Sequence, residues 1–504
     1  MTRTVTITGG PLSIDDVVAV AAGEATVEID PSVADRMAAA QEVIDAAVAS
    51  GAVVYGVTTG FGALAGTRVD PSESAAMQVA LLRSHAAGVG DPLPAELVRA
   101  MLLLRARTLA QGHSGVRPVV VERIVDLLRH GVFPVVPSQG SVGASGDLAP
   151  FAHLALPLIG EGEVMVGGDR MSAAEGLSAV GLEPITLRPK EGLSLLNGTE
   201  GLLAHLVLAI HRLRRLTDTA DMACALSVEA LMGSQRPFMA EIHALRPHPG
   251  QIESARRIRE AIDGSGIDAS HHDDFDHAVQ DAYSLRCAPQ VHGAARDVIE
   301  FTAGVADREL GAVVDNPIVL DSGEVVSAGN FHGQPLAFAL DFLAMAATEL
   351  ASISERRTDR LLDPTRSAGL PPFLATRPGL DSGYMLAQYT AAALVAESRV
   401  LCHPASVDSI PTSGLQEDHV SMGWGAGRKL MTVLDNVERV LAVELLCAAE
   451  GVDLRGPLLP APGTASVHRA IRSVVSPLDG DRPPGPDIEA IAGLVREGRV
   501  AGSR

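Results

Sequence analysis

Gly140-Ser141-Val142-Gly143-Ala144-Ser145-Gly146-Asp147-Leu148-Ala149-Pro150 is the most informative stretch of this 504-residue chain. Its three glycines at 140, 143 and 146 permit tight, strained turns around a central serine, and strain of that kind belongs to functional sites. A nucleophilic serine on a Gly-x-Ser-x-Gly elbow would need glycine two residues after Ser145. Asp147 stands there instead, and the approach through Pro134 and Pro137 is a poor strand. A second chemistry uses the same residues. If the backbone nitrogen of Gly146 closes onto the carbonyl carbon of Ala144, a five-membered ring forms, and loss of water from Ser145 leaves an exocyclic methylene, which is an electrophile. Gly146 has no Cβ to obstruct the approach, Ala144 is small, and the flanking glycines let the loop compress. An ordinary Gly-Ser turn is the plain alternative, so the surroundings must decide.

Outward from the loop, glycine and proline stay dense between Gly112 and Pro150, interrupted by a helical pattern at 119–128. Towards the N-terminus an alternating stretch at 4–8 predicts a strand, and 14–22, 31–49 and 72–87 carry helical spacing. The β-branched run 53–59 reads as a strand leading into the glycine-rich 60–66. Beyond Asn197, long apolar stripes at three-to-four spacing predict helices over 200–216, 328–357, 385–401 and 417–450. A helix of roughly 30 residues is about 45 Å long, so several should pack as an elongated bundle and against other subunits. The proline-rich 458–486 reads as a surface wrap or linker before a last short helix. The expectation is a mainly α protein: an N-terminal α+β domain, residues 1–200, holding the electrophile loop, then a long helical-bundle domain, residues 201–504.

Composition narrows the function. With 47% hydrophobic and 20% charged residues the chain can bury a large core and is not disordered. Forty Lys plus Arg against 61 Asp plus Glu give a formal charge of −21, which repels phosphate backbones and anionic membranes, so neither nucleic acid nor membrane is an expected partner. Cys224, Cys287, Cys402 and Cys447 lie far apart with no C-x-x-C spacing, which fits a reducing compartment. No leader-like h-region opens the chain, and no uninterrupted apolar window reaches membrane-span length, so the expected location is the cytoplasm.

Around the loop, Tyr55-Gly56-Val57-Thr58-Thr59-Gly60-Phe61-Gly62, Ser84-His85-Ala86-Ala87-Gly88, Leu195-Leu196-Asn197-Gly198-Thr199 and Gln280-Asp281-Ala282-Tyr283-Ser284-Leu285-Arg286-Cys287 join a larger set. It continues through Asp315-Asn316-Pro317, Gly329-Asn330-Phe331-His332, Ser406-Val407-Asp408-Ser409 and Gln416-Glu417-Asp418-His419. Almost end to end, the chain resembles the histidine ammonia-lyase family, whose relatives act on phenylalanine and tyrosine. The resemblance implies that Ala144, Ser145 and Gly146 mature autocatalytically into 4-methylideneimidazole-5-one, with no external cofactor. It implies elimination of ammonia from L-histidine to trans-urocanate by a homotetramer whose sites draw on more than one subunit.

The residue types suit that chemistry. Ammonia leaves an α-amino acid poorly and the accompanying β-proton is barely acidic, so an electrophile must activate the leaving group while a base reaches the β-carbon. Tyr55 and Tyr283 fall in the motifs where the family places a phenolate base and its partner, and Glu417 joins them as a catalytic candidate. Gln280, Tyr283 and Arg286 are spaced by three and would share one helical face. The Arg286 fork suits a substrate carboxylate, and Asn197 offers an amide to the same group. His85, following Ser84, matches the histidine type of relative, where tyrosine users tend to carry His-Leu and phenylalanine users Phe-Leu. Glu417 can accept an imidazole N–H, whereas a phenyl ring would leave its buried charge unpaired. Phe331 and Met385 would supply apolar walls. Leu415 departs from the small or polar residue that relatives tend to carry there.

Two other patterns do not develop into sites. Gly60-Phe61-Gly62-Ala63-Leu64-Ala65 mimics a dinucleotide fingerprint, but 67–72 reads as a loop where the helix should start. His271, His272, Asp273, Asp274, Asp276 and His277 have a metal-like composition without convergent spacing, and no metal is expected. Three functions remain open: ammonia-lyase on histidine or another aromatic amino acid, an aminomutase using the same electrophile, or a helical scaffold whose tripeptide never cyclises.

Overall fold

The computed structural model describes residues 3–271 and 279–502, and most of the His271–His277 polar run lies outside them. Two compact units emerge: Met1–Leu208 with Ala303–Asp341 and Pro404–Arg428, and Ala209–Thr302 with Phe342–His403 and Lys429–Arg504. The fold is mainly helical with small sheets near the N-terminus, as the sequence predicts.

The first unit opens with a parallel pair, Arg3–Ile7 and Ala25–Ile29, in which Val5 faces Val27. Val5 and Ile7 point inward with a period of two, so this short strand buries one face. Helix Ile14–Ala21 connects the pair, and it starts where it does because Ser13 and Asp16 form a reciprocal capping box. Helix Ala95–Leu109 is almost wholly buried and forms the centre of the unit. Beside it Pro118–His130 begins on a proline and ends at Gly131, whose φ of 67° closes the helix in the left-handed conformation. Val132–Pro134, Glu163–Val166 and Asp169–Ser172 form a three-stranded antiparallel sheet. A second small pair, Val89–Pro92 with Pro137–Gln139, delivers the chain into the 140–147 loop. Helix Leu148–Ala155 follows the loop directly.

The second unit consists of helices, among them Pro249–Ile262, Met385–Leu401, Pro462–Arg472 and Pro484–Arg496. Four long helices, Glu200–Ala230, Ala288–Glu309, Gln334–Leu362 and Gly423–Asp453, contribute residues to both units. Gln334–Leu362 is long and apolar enough to cross a membrane by composition, yet most of its apolar window is buried in the fold. It also carries Arg357, fully buried against Glu444 at 2.5 Å, which marks it as a core helix.

Three segments differ from expectation for visible reasons. The β-branched run 53–59 forms turns, because the Thr58 hydroxyl donates to the carbonyl of Ala52 and receives the amide of Val54, locking a local loop. The proline-rich tail contains helix Pro462–Arg472, whose proline occupies the first turn, where no amide partner is lost. The last long helix begins at Gly423 rather than Glu417, because Glu417 pairs back to Thr412 in a tight loop.

Candidate active site

A pocket of about 610 Å³ opens in the first unit, lined by Tyr55, Leu81, His85, Ser145, Asn197, Asn316 and Glu417 among others. Five residues singled out from the sequence, spread over more than 360 positions of chain, therefore meet in one cavity: Tyr55, His85, Ser145, Asn197 and Glu417. Ala144 and Gly146 flank Ser145 in the loop beneath.

The loop is held by its backbone. Gly146 pairs with Gly198 as a parallel bridge, where Asp147 N donates to Gly198 O at 2.9 Å and Gly198 N to Ser145 O at 3.3 Å. Gly146 has φ +74°, and a Cβ built there would lie 1.8 Å from the Gly198 carbonyl oxygen, so no residue but glycine fits. On the other side, Met422 N donates to Val142 O at 2.9 Å, and the Ser421 hydroxyl donates to Gly143 O at 3.2 Å. A position closed to every side chain, followed by a fully buried carboxyl and preceded by a serine open to the pocket, fits cyclisation of Ala144-Ser145-Gly146.

Beneath the loop lies a layer of buried charge that the sequence reading did not single out. Arg105 donates to the carbonyls of Ser194 at 3.0 Å and Asn197 at 2.9 Å, and pairs with Glu200 at 2.7 Å. Lys190, wholly buried, pairs with Asp315 at 2.8 Å. Asn197 donates its amide to the carbonyl of Asn316 at 2.9 Å, and its own Oδ1 has no partner among the described residues. Asp147 accepts the amide of Leu202 at 2.9 Å, and burial pushes its carboxyl up to about 8. An arginine interrupting the apolar run of helix Ala95–Leu109 was the available signal, since a charge is left inside an apolar stripe only when it is paired.

On the pocket wall, His85 Nδ1 meets the carbonyl of Leu81 at 3.0 Å. The Ser84 hydroxyl lies 3.1 Å from the same nitrogen, so Nδ1 is shared between a carbonyl that only accepts and a hydroxyl that can donate or accept. Burial draws His85 below its ordinary value, opposed by the Leu81 carbonyl and by the Glu417 carboxylate. Tyr55 Oη accepts the amide of Gly62 at 3.0 Å, which fixes the phenol against the 60–66 loop. Glu417 accepts the Thr412 hydroxyl at 2.6 Å.

The remaining candidates lie elsewhere. Phe331 is half-buried in the first unit and does not line the pocket. Gln280, Tyr283, Arg286 and Met385 belong to the second unit. Helical structure covers only Tyr283–Arg286, so Gln280 is an exposed residue ahead of the helix rather than a member of its face. Arg286 lies over the Tyr283 ring, 4.5 Å from its centroid, and donates to the carbonyl of Asp281 at 2.9 Å, while Tyr283 is 71% exposed. Arg357 supports this turn by donating to the carbonyl of Ser284 at 3.2 Å.

Comparison with known proteins agrees with this geometry. The family model described as aromatic amino acid lyase matches residues 12–473. A histidine ammonia-lyase of Gloeobacter violaceus is 52% identical over 501 residues, covering 99% of this chain and 97% of that protein. The crystal structure of histidine ammonia-lyase from Trypanosoma cruzi superposes with a TM-score of 0.91 at 44% identity, covering 99% of this chain and 94% of its own. Tyrosine aminomutase from Streptomyces globisporus superposes at 0.94 with 39% identity, covering 99% and 97%. Sequence match, fold and the assembled pocket converge: the chain belongs to the aromatic amino acid lyase family and is a carbon–nitrogen lyase.

Proposed function

We propose that this protein is a histidine ammonia-lyase, releasing ammonia from L-histidine without oxidation to give trans-urocanate, the opening step of histidine breakdown. The observation that carries the reading is that Glu417 and His85 both line the pocket that Ser145 lines, in a chain about half identical to relatives named for that activity. The 4-methylideneimidazole-5-one group, formed from Ala144, Ser145 and Gly146 with loss of two waters, supplies the electrophilic carbon that activates the amino group. The chain's own side chains do the rest. Glu417 accepts a ring N–H of the substrate imidazole, and His85 lines the same pocket wall. Asn197 addresses the substrate carboxylate with its amide, and Arg286 is assigned to the same group. Tyr55 or Tyr283 takes the β-proton on its phenolic oxygen. Gln280, Phe331 and Met385 complete the substrate-binding set.

We further propose that the protein is a cytoplasmic homotetramer that uses no external cofactor. The exposed apolar side chains Phe301, Phe342, Leu386 and Tyr389 favour burial against other copies. A second reading, aminomutase, draws on the superposition with tyrosine aminomutase, since such an enzyme returns the amine to the β-carbon. Incubation with L-histidine, L-phenylalanine and L-tyrosine, following urocanate absorbance and free ammonia, separates the two. Urocanate with equimolar ammonia from histidine alone is expected. A β-amino acid, or turnover of tyrosine in preference to histidine, would overturn the proposal.

A further inference from the structure

Glu417 sits at the end of a short loop whose backbone is unusual. Thr412 is extended, with φ −133° and ψ 179°, and the next three residues, Ser413, Gly414 and Leu415, all have positive φ at 51°, 60° and 72°. Two of the three are not glycine, and left-handed conformations are costly for such residues, so something must hold the turn closed. Thr412 N donates to Glu417 O at 2.9 Å, and Glu417 N donates to Thr412 O at 3.3 Å. Ser413 Oγ accepts the amide of Ala63 at 3.3 Å, which ties the turn to the 60–66 loop on the pocket wall. Within this frame the Thr412 hydroxyl donates to Glu417 Oε2 at 2.6 Å, while Oε1 carries no hydrogen bond among the described residues.

We infer that Thr412 is a positioning residue for substrate selection: its hydroxyl occupies one oxygen of Glu417 and so presents the other to the imidazole N–H of the substrate. The inference rests on the proposed role of Glu417. A carboxylate on a flexible stem has several rotamers, and an N–H of the substrate would have to select one of them. Threonine is suited to removing that freedom, because branching at Cβ leaves few χ1 states and the backbone pair fixes where the hydroxyl starts. A hydroxyl bond to a charged acceptor is also among the stronger neutral–ion contacts. Serine would retain the donor with looser aim, and valine would retain the shape without it.

Steady-state kinetics of the full-length enzyme on L-histidine test this with T412V, T412S, E417Q and the double variant T412V/E417Q. Intact mass two waters below each encoded value verifies that the electrophile loop has matured in every protein. T412V should lower kcat/KM about tenfold or more, as expected for loss of a hydrogen bond to a charged group. T412S should recover most of that loss, and T412V should add nothing in the E417Q background, because the positioned carboxylate is already gone. Wild-type kinetics for T412V while E417Q is impaired would overturn the inference and leave the role of Glu417 standing. An undiminished T412V penalty in the E417Q background would also overturn it, since Thr412 would then act elsewhere. Wild-type kinetics for E417Q would overturn both the inference and the reading of Glu417 beneath it.

Discussion

Substituting Gly146 by alanine puts the geometry of the loop under its most direct test. A Cβ at this position would stand 1.8 Å from the carbonyl oxygen of Gly198, 2.3 Å from its carbon and 3.1 Å from its Cα. Ordinary contact begins near 3.4 Å, and all three obstructing atoms are backbone, so the two segments must part rather than a side chain swing aside. Their separation breaks Asp147 N to Gly198 O and Gly198 N to Ser145 O, in surroundings where Asp147 and Asn197 are buried. Two buried donors left unsatisfied cost about 1–3 kcal/mol each, and a left-handed alanine adds about 1–2 kcal/mol. The sum, about 3–8 kcal/mol, approaches the whole stability of a marginal domain. The proper reference is Ser145→Ala, which also keeps an open main chain but leaves Gly146 in place. Denaturant unfolding should show Gly146→Ala weaker than Ser145→Ala by about that amount, with both masses at their encoded values. Gly66→Ala, where a Cβ meets nothing within 4 Å, should change stability by less than about 0.5 kcal/mol. A Gly146→Ala protein as stable as Ser145→Ala, or two waters lighter than encoded, would refute the account of the loop.

Asp147 gives a pH-dependent counterpart. Its carboxyl is held at about 8 when folded, against 3.8 in the unfolded chain, so unfolding between these values releases a proton and the group's contribution to stability falls as pH rises. Asp147→Asn should remove a slope of about 1.4 kcal/mol per pH unit, so its stability relative to the parent should improve by about 2–3 kcal/mol between pH 5 and pH 7; a constant difference between the two proteins would contradict the burial argument. In the second unit, Arg357 binds Glu444 through Nε at 2.5 Å and Nη2 at 2.9 Å, with both side chains fully buried. Arg357→Leu should cost about 3–5 kcal/mol by stranding the carboxylate, and adding Glu444→Leu should restore part of it; a double variant weaker than the single one would show that the pair is not coupled.

The legible parts of the fold were those where one local signal dominated. Helix Met385–Leu401 follows its apolar stripe residue for residue, and Arg3–Ile7 its alternation. Helix ends depart from the periodicity where a side chain competes with the backbone. The helix expected from 328 begins at Gln334, whose amide meets the ring of His332 at 3.3 Å, and the one expected from 417 is delayed by the Thr412–Glu417 pair. Motif residues in the first unit converged on one pocket because their spacing encodes turns around glycines. The charge layer of Arg105, Lys190, Glu200 and Asp315 is legible only at Arg105, a charge inside an apolar stripe, because every pairing in it joins residues at least 95 positions apart. Leu415, which departs from the family's usual residue type, has a side chain 72% exposed at φ 72°, so its strain is carried by the backbone and its bulk disturbs no packing beside Glu417.

That charge layer also explains how a compressed loop can be held still. Burying Lys190 works against its charge and burying Glu200 against its ionisation, and replacing such pairs by apolar residues is often neutral or better for stability. What apolar residues cannot do is grip carbonyls. Two donors of Arg105 end on the carbonyls of Ser194 and Asn197, at the close of helix Glu191–Leu196, and the next residue is the Gly198 whose oxygen blocks any Cβ at 146. Lys190 and Asp315 fix the start of the same helix and the residue before Asn316, whose carbonyl in turn holds Asn197. Gly198 is thereby braced from both directions along its own chain. Under the proposed cyclisation, a nitrogen pressed toward a carbonyl carbon two residues back would gain nothing if the opposing strand yielded, so the stiffness needed at Gly146 would come from beneath it, where buried ion pairs with defined geometry hold more firmly than a softer apolar core.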